Sequence, residues 1–275
     1  MDIVAPSSLN GSSIANAVGG SPNGRCEIDL RAATFVDPAG LVTVAAAVER
    51  AVREGTKLTL STPRDAGCRN YLSRMQLGTQ LTAIGVAHDL PTVRSHALGD
   101  RLQELRRFQS ERELTDVADA IINLYQKAGL TIVQPLYQAL FELGVNAVEH
   151  SGQQGGYVAL QSFPRAGDVA FAVGDSGRGL RSRLAESMSV PNDAVAIALA
   201  AQKYVSTDGA AGRGRGITGV VELTGQHRGA VTMISGTAHG AFTDGHWDPR
   251  VSTMKAPLLG TVVQAKLALE GRLQL

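Results

Sequence analysis

Hydrophobic and polar residues follow two different periods in the first third of this chain, and together they predict a small α/β unit. Strand-like alternation occurs at Cys26–Leu30 (CEIDL) and at Lys57–Leu60 (KLTL). Between them, an Ala/Val-rich segment predicts a helix over Leu41–Glu54. A further short helix is predicted over Tyr71–Leu77. This order of strands and helices favours one α/β domain over residues 23–92.

Two segments around this unit have different patterns. Residues 1–22 are mostly Ser, Asn, Gly, Ala and Pro, which bury little surface, so a flexible tail is predicted. Between residues 97 and 128, apolar residues recur at roughly helical spacing among many charges. We therefore interpret residues 93–129 as a helical linker. The pattern fits a dimerisation or signal-relay helix and a helix packed on its own domain equally well.

The last half of the chain, residues 130–275, predicts a second α/β domain. A long helix is expected over residues 131–150, and residues 236–260 are expected to form a long loop or a β-excursion. Shorter helices are predicted at Asp193–Tyr204 and Ile217–Thr224. Strands are predicted at Gly156–Phe163, Asp168–Val173, Ala230–Ser235 and Thr261–Leu269.

Composition and charge narrow the function classes. Among 275 residues, 26 are Lys or Arg and 25 are Asp or Glu, so the net charge is +1. This balance argues against direct nucleic-acid binding through a global basic field. No apolar run approaches the ~18 residues that span a bilayer, and the start of the chain lacks a secretory signal pattern. We expect a cytoplasmic protein without a membrane segment.

Three polar residues lie on one face of the long predicted helix. Glu142, Asn146 and His150 are spaced by four residues, and each such step turns the direction on an α-helix by about 40°. An amide oxygen of Asn146 suits Mg²⁺, a hard cation that prefers oxygen ligands. Glu142 could orient or deprotonate a water molecule. The alternative is an ordinary solvated polar face.

A glycine-rich turn follows an apolar strand at Asp175-Ser-Gly177-Arg-Gly179. Glycines there would let a ligand approach the backbone closely. The Asp175 carboxylate could accept a hydrogen bond from an amino group such as that of adenine. The alternative is a tight β-turn with ordinary Asp and Gly preferences.

A second glycine-rich segment precedes a predicted helix and is made of Gly212, Arg213, Gly214, Arg215 and Gly216. A loop of this kind that leads into a helix N-terminus offers backbone N–H groups and a positive dipole end to an anion. The two arginines add charge for phosphate oxygens. The segment matches neither the P-loop nor the Rossmann pattern. The alternative is a flexible linker.

The order of these motifs resembles the GHKL superfamily, which includes gyrase, heat-shock-90 chaperones, histidine kinases, MutL-type proteins and anti-sigma-factor serine kinases. The resemblance runs from Thr131 to Leu267. It implies a two-layer α/β sandwich with a mixed sheet, and ATP and Mg²⁺ as ligands.

The resemblance also implies residue roles. Asn146 would ligate Mg²⁺, Glu142 would be catalytic, and His150 would end the same motif. Asp175 would bind the adenine amino group. The remaining nucleotide-binding positions would be the wall glycines Gly177 and Gly179, the lid residues Gly212, Arg213, Gly214, Arg215 and Gly216, and Thr261 through a water molecule.

The N-terminal unit resembles a STAS domain, the fold of anti-sigma-factor antagonists, over about 35 residues from Cys26 to Leu60. Antagonists of this kind carry a phosphorylatable serine at the start of the helix. Here the turn reads Asp37-Pro-Ala-Gly40, with no hydroxyl. The resemblance therefore implies a binding or dimerising domain.

Together these features favour an Mg-ATP-binding regulatory protein that acts as a conformational switch with slow ATP hydrolysis. Its expected partner is a regulatory protein, and a homodimer is an open alternative. Two alternatives for the function also stay open. One is an anti-sigma-type serine kinase that acts on a separate STAS partner. The other is a non-catalytic nucleotide sensor.

Overall fold

The computed structural model of the protein describes residues 2–4, 8–9, 25–92, 102–127, 132–152, 155–202, 216–243 and 252–269. The strands are β1 (Asp2–Val4), β2 (Ser8–Leu9), β3 (Arg25–Asp29), β4 (Phe35–Val36), β5 (Lys57–Ser61), β6 (Ala87–His88), β7 (Leu102–Phe108), β8 (Gly156–Phe163), β9 (Asp168–Asp175), β10 (Ala230–Thr243) and β11 (Ser252–Ala268). The helices are α1 (Pro38–Arg53), α2 (Ala66–Arg74), α3 (Leu77–Ala83), α4 (Glu111–Lys127), α5 (Val133–His150), α6 (Gly179–Leu184), α7 (Asp193–Ala201) and α8 (Gly216–Gln226).

The N-terminal unit contains a four-stranded sheet in the order β1-β3-β5-β6, and all its pairings are parallel. A separate parallel pair joins β2 to β4. The prediction of a tail over residues 1–22 is therefore wrong for Asp2–Val4 and Ser8–Leu9, which pair through their backbones. Backbone pairing needs no apolar composition, so the Ser/Asn/Gly-rich sequence does not reveal it.

The second sheet has five strands in the order β10-β11-β9-β8-β7, and every pairing in it is antiparallel. The predicted α/β class is confirmed. The parallel pairings lie in the N-terminal unit and the antiparallel pairings in the second sheet, so the second sheet does not mix the two directions. Its strands β8 and β9 are joined by a short turn, which connects antiparallel neighbours directly, whereas the parallel strands β3, β5 and β6 are joined through helices.

One face of the five-stranded sheet is covered by α4, α5, α7 and α8. Their apolar side chains form a common core with alternate residues of the strands. On β9 these residues are Val169, Phe171 and Val173, so the next alternate position, Asp175, belongs to the same face. The helical face of the sandwich therefore contains the carboxyl-terminal residue of β9.

The opposite face of this sheet is covered by α1. Asp37 caps the helix through a hydrogen bond of 2.7 Å from the Gly40 N–H, and Pro38 opens the first turn. From Pro38 to Val48 every residue of α1 is buried, because the helix lies between the two sheets and packs on both. The contact is close at Gly174, where a Cβ would come within 2.7 Å of Val42.

Two further segments differ from their sequence predictions. The predicted helical linker is wrong for Leu102–Phe108, which form β7 at the edge of the five-stranded sheet, while Glu111–Lys127 are helical as expected. The stretch 236–260 follows its β-excursion alternative where it is described, since β10 and β11 extend to Thr243 and from Ser252 with an irregular register. The short helix predicted at Tyr71–Leu77 is divided between α2 and α3.

Candidate functional site

Asp175 is the last residue of β9 and is buried, with 7% of its surface exposed. The backbone N–H of Gly177 donates to its Oδ1 atom at 2.8 Å. Burial raises the pKa of Asp175 to about 7, although the backbone amides of Gly177 and Thr261 act in the opposite direction. A carboxyl group has more acceptor sites than these two amides use, so Asp175 is suited to accept a further hydrogen bond from an amino group of a ligand.

The glycines around Asp175 permit backbone contacts that a side chain would prevent. A Cβ at Gly177 would overlap the backbone oxygen of Ser151, which accepts a hydrogen bond of 2.9 Å from the Arg178 N–H. Gly260 has a φ of +124°, and a Cβ there would overlap the backbone oxygen of Asp175. The turn after β9 is thereby held between the end of α5 and the strand β11.

Thr261 lies opposite Asp175 in the pairing of β11 with β9. Its hydroxyl is 3.2 Å from the Ser235 hydroxyl, which also bonds the Gly260 oxygen at 3.1 Å and accepts from the Leu180 N–H at 2.9 Å. Gly179 belongs to the same group, since a Cβ there would lie 3.0 Å from Ser235 Oγ. Ser235 was not predicted from the sequence, because a lone serine at a strand position carries no distinguishing signal.

The structure thus brings four of the predicted residues together, namely Asp175, Gly177, Gly179 and Thr261. A second group forms at α5, where burial raises the pKa of Glu142 while a hydrogen bond from the Gly216 N–H acts to lower it. Gly216 is the first residue of α8, so the Glu142 carboxyl lies at the positive end of that helix. The carboxyl and the start of α8 are therefore direct neighbours.

The other predicted residues of the long helix are found on α5 as expected. Asn146 is half-buried one turn after Glu142. His150 is the last residue of the helix, and its backbone oxygen accepts from Arg178 Nε at 3.2 Å. The predicted lid residues Gly212, Arg213, Gly214 and Arg215 lie outside the described residues.

The donor set can be tested against Mg²⁺ directly. Within the part of the chain that the structure describes, no three His, Cys, Asp or Glu side chains come together as a metal-binding cluster. The amide oxygen of Asn146 is a hard donor on the same face as Glu142. One protein oxygen of this kind fits a magnesium ion that is bound chiefly through ligand phosphates and water.

A helix-covered antiparallel sheet, with a buried aspartate at a strand end and a carboxylate at a helix N-terminus, defines an α/β sandwich. Residues 131–270 match the family described as histidine kinase-, DNA gyrase B- and HSP90-like ATPase. The chain belongs to this family, and membership supports ATP binding. No curated protein matches the chain. None of the described helices is long and apolar enough to cross a bilayer.

Proposed function

We propose that this protein is an Mg-ATP-dependent conformational switch that hydrolyses ATP slowly. The observation that carries the proposal is the proximity of the Gly216 N–H, at the start of α8, to the Glu142 carboxyl. A helix N-terminus is a favourable place for a phosphate. A phosphate bound there would face the Glu142 carboxylate, and like charges repel. Nucleotide binding would therefore rearrange this contact, and the change could be transmitted through α8.

The remaining residues divide into binding roles. Asp175 would accept the hydrogen bond of the adenine amino group, and Thr261 would contact adenine through a water molecule. Gly177 and Gly179 would shape the wall beside the base. The phosphates would face the lid residues Gly212, Arg213, Gly214, Arg215 and Gly216, with His150 near the end of α5.

Glu142 is the proposed catalytic residue. Its raised pKa follows from burial, and a base is more effective when its pKa is closer to the working pH. It would orient and deprotonate the attacking water. Asn146 would hold Mg²⁺, which would supply charge neutralisation at the phosphates.

The N-terminal unit is proposed to be STAS-like and to bind a regulatory protein partner or a second copy of the chain, in the cytoplasm. In its parallel sheet, α1 lies between the strands β3 and β5 along the chain, which agrees with the position of the antagonist helix in the resemblance. The first turn of α1 is buried, since Ala39 is 2% exposed. A surface elsewhere on the unit would therefore meet the partner.

The test is incubation with γ-labelled ATP, combined with calorimetric ATP binding in magnesium buffer. Wild type should release labelled phosphate slowly. Glu142→Gln keeps an acceptor for the Gly216 N–H and should lose turnover about 10²-fold, with little change in affinity. Asn146→Ala should lose both affinity and turnover. Asp119→Asn, which removes an exposed carboxylate on the neighbouring helix α4, is the matched control and should match wild type.

Each of the other possible results of this test would favour a different conclusion. Full turnover in Glu142→Gln would contradict the catalytic role of this residue. Label transferred to a STAS-type partner would favour the protein kinase. Tight ATP binding without release or transfer of label would favour the nucleotide sensor.

A further inference from the structure

The C-terminal end of α1 reaches across to the turn that follows Asp175. Arg53 donates from Nη1 to the Ser176 hydroxyl at 3.0 Å and from Nη2 to the Ser176 backbone oxygen at 2.6 Å. The same hydroxyl donates to Glu49 Oε2 at 2.6 Å. Ser176 is 2% exposed, whereas Arg53 lies at the surface of the protein. Both polar ends of Ser176 are therefore held by one helix of the N-terminal unit.

Glu49 is itself fixed from a third element. Its Oε1 atom accepts from Arg107 Nε, on β7, at 2.9 Å. Each carboxylate oxygen of Glu49 thus has its own donor, and the side chain has little freedom to rotate. The pair Glu49 and Arg53 forms a rigid attachment for Ser176, made of charge-assisted hydrogen bonds, which are stronger than bonds between neutral groups.

A single peptide group connects this attachment to Asp175. The Ser176 carbonyl, which accepts from Arg53, and the Gly177 N–H, which donates to Asp175 Oδ1 at 2.8 Å, belong to the same planar unit. Rotation of this plane would break both bonds together. In addition, hydrogen bonds in series polarise one another, so the bond from Arg53 strengthens the Gly177 N–H as a donor.

We propose that Arg53 and Glu49 are positioning residues of the nucleotide site, which hold the Ser176–Gly177 peptide so that the Asp175 carboxyl is oriented toward the 6-amino group of a purine. This inference rests on the proposed role of Asp175 in adenine recognition. In this proposal neither α1 residue contacts the nucleotide itself. Their effect is confined to the part of the ligand that Asp175 contacts.

The attachment also makes base recognition depend on the N-terminal unit. Arg53 and Glu49 belong to a helix that packs on the four-stranded parallel sheet as well as on the nucleotide-binding sheet. A partner that shifts α1 would therefore change ATP affinity. By thermodynamic reciprocity, ATP would change the affinity for that partner by the same factor.

The experiment compares two ligands in the full-length protein, ATP and purine riboside triphosphate, which lacks the 6-amino group. Arg53→Ala should weaken ATP binding about 10-fold, the value of a hydrogen bond to a charged group. It should leave the analogue within about two-fold of wild type, so the discrimination between the ligands falls. Arg53→Lys keeps the charge but cannot donate to both acceptors as a planar fork, and should restore the discrimination only in part.

The matched control removes a different hydrogen bond between the N-terminal unit and the second sheet, at a position far from Asp175. Tyr71→Phe removes the hydrogen bond of 2.8 Å from the Tyr71 hydroxyl to Gln161, which also joins the N-terminal unit to the second sheet. It should leave the discrimination unchanged. Should Arg53→Ala fail to fold, the intermediate discrimination of Arg53→Lys decides the question, because that variant keeps the charge and most of the aliphatic side chain.

The results separate this inference from the proposed function. Asp175→Asn should itself abolish the discrimination. If it does not, or if wild type does not prefer ATP, the adenine assignment is wrong. If Asp175→Asn does so but Arg53→Ala retains full discrimination, or weakens both ligands equally, the positioning role is overturned and the function stands.

Discussion

Gln264, on the strand β11, and Asp37, the residue that caps α1, are joined by a hydrogen bond of 3.3 Å across the boundary between the N-terminal unit and the nucleotide-binding sheet. The same Gln264 side chain accepts from the Ala39 N–H at 2.9 Å. One amide therefore satisfies both a carboxylate and a backbone donor at the start of a buried helix. Burial raises the pKa of Asp37, whereas the bonds from Gly40 and Gln264 act to lower it.

Gln264→Ala should lower the free energy of unfolding by about 1–3 kcal/mol, because it leaves a buried backbone N–H and part of a buried carboxyl without partners. Urea unfolding of the full-length protein measures the change. Gln126→Ala, which removes an exposed side chain on α4, is the control and should change the value by less than about 0.5 kcal/mol. Equal effects of the two substitutions would contradict the role of Gln264.

The N-terminal turn should not be phosphorylated after incubation with Mg-ATP. It has no hydroxyl at Pro38 or Ala39, and Ala39 is buried against β11. Ala39→Ser supplies the missing hydroxyl but leaves it buried, where a kinase site cannot reach it. This variant therefore tests whether burial alone prevents phosphorylation. Mass spectrometry of peptides between Ile28 and Leu60 should find no phosphate in either protein, and a phosphopeptide from wild type would refute the expectation.

Gly177→Ala should damage the proposed nucleotide site, since the added methyl would overlap the Ser151 backbone oxygen and force the turn away from α5. We expect ATP affinity to fall at least about 10-fold and the melting temperature to fall as well. Gly67→Ala is a matched control, because its Cβ would be no closer than 3.3 Å to another atom, an Asp65 side-chain oxygen. If Gly177→Ala binds ATP as tightly as wild type, the turn can move away from Ser151 without affecting the site, and the prediction is contradicted.

The ionisation of Asp175 should give the stability a definite pH dependence. The pKa of Asp175 in the folded protein is raised from 3.8 to about 7. Between these two pH values the folded state keeps a proton on Asp175 that the unfolded state has released. Stability contributed by the protonated form is present below pH 4 and is lost as the pH rises toward 7. Relative to Asp175→Asn, which does not titrate, wild type should lose a few kcal/mol across this window, since one pKa unit is worth about 1.4 kcal/mol. Urea unfolding from pH 5 to pH 8 checks this, and parallel curves for the two proteins would contradict it.

The sequence predicts those parts of the fold that depend on local periodicity. The long helix was expected over residues 131–150 and is found as Val133–His150, because its apolar positions recur at helical spacing. The strand Gly156–Phe163 has the predicted bounds. The turn after Asp175 was also predictable, since glycines that allow close backbone approach mark the sequence directly.

The strand β7 shows where periodicity misleads. Leu102, Leu105 and Phe108 are three residues apart, which is a helical spacing, yet they belong to one strand. Its pairing with β8 shifts register between Gln103 and Arg106. Such an irregularity interrupts the two-residue alternation of a strand, so the apolar positions imitate a helix.

The contacts of Ser176 with Glu49 and Arg53 could not be predicted from the local sequence pattern. The residues are more than 120 positions apart along the chain. At the sequence level, Glu49 and Arg53 resemble solvated charges at the end of a helix, with arginine favoured there by the helix dipole. Only the packing of α1 across the sheet gives them their partners.

The burial of α1 on both sides has a consequence for how this protein can be divided. Cutting the chain at the family boundary, to keep residues 131–270, would remove both α1 and the edge strand β7. Tyr157, Ala172 and Val262 would then be exposed on the bare side of the sheet. A surface of that kind favours aggregation, and an open strand edge adds to it. The two halves of this chain are therefore expected to melt in one transition, and the nucleotide-binding half is not a separable module.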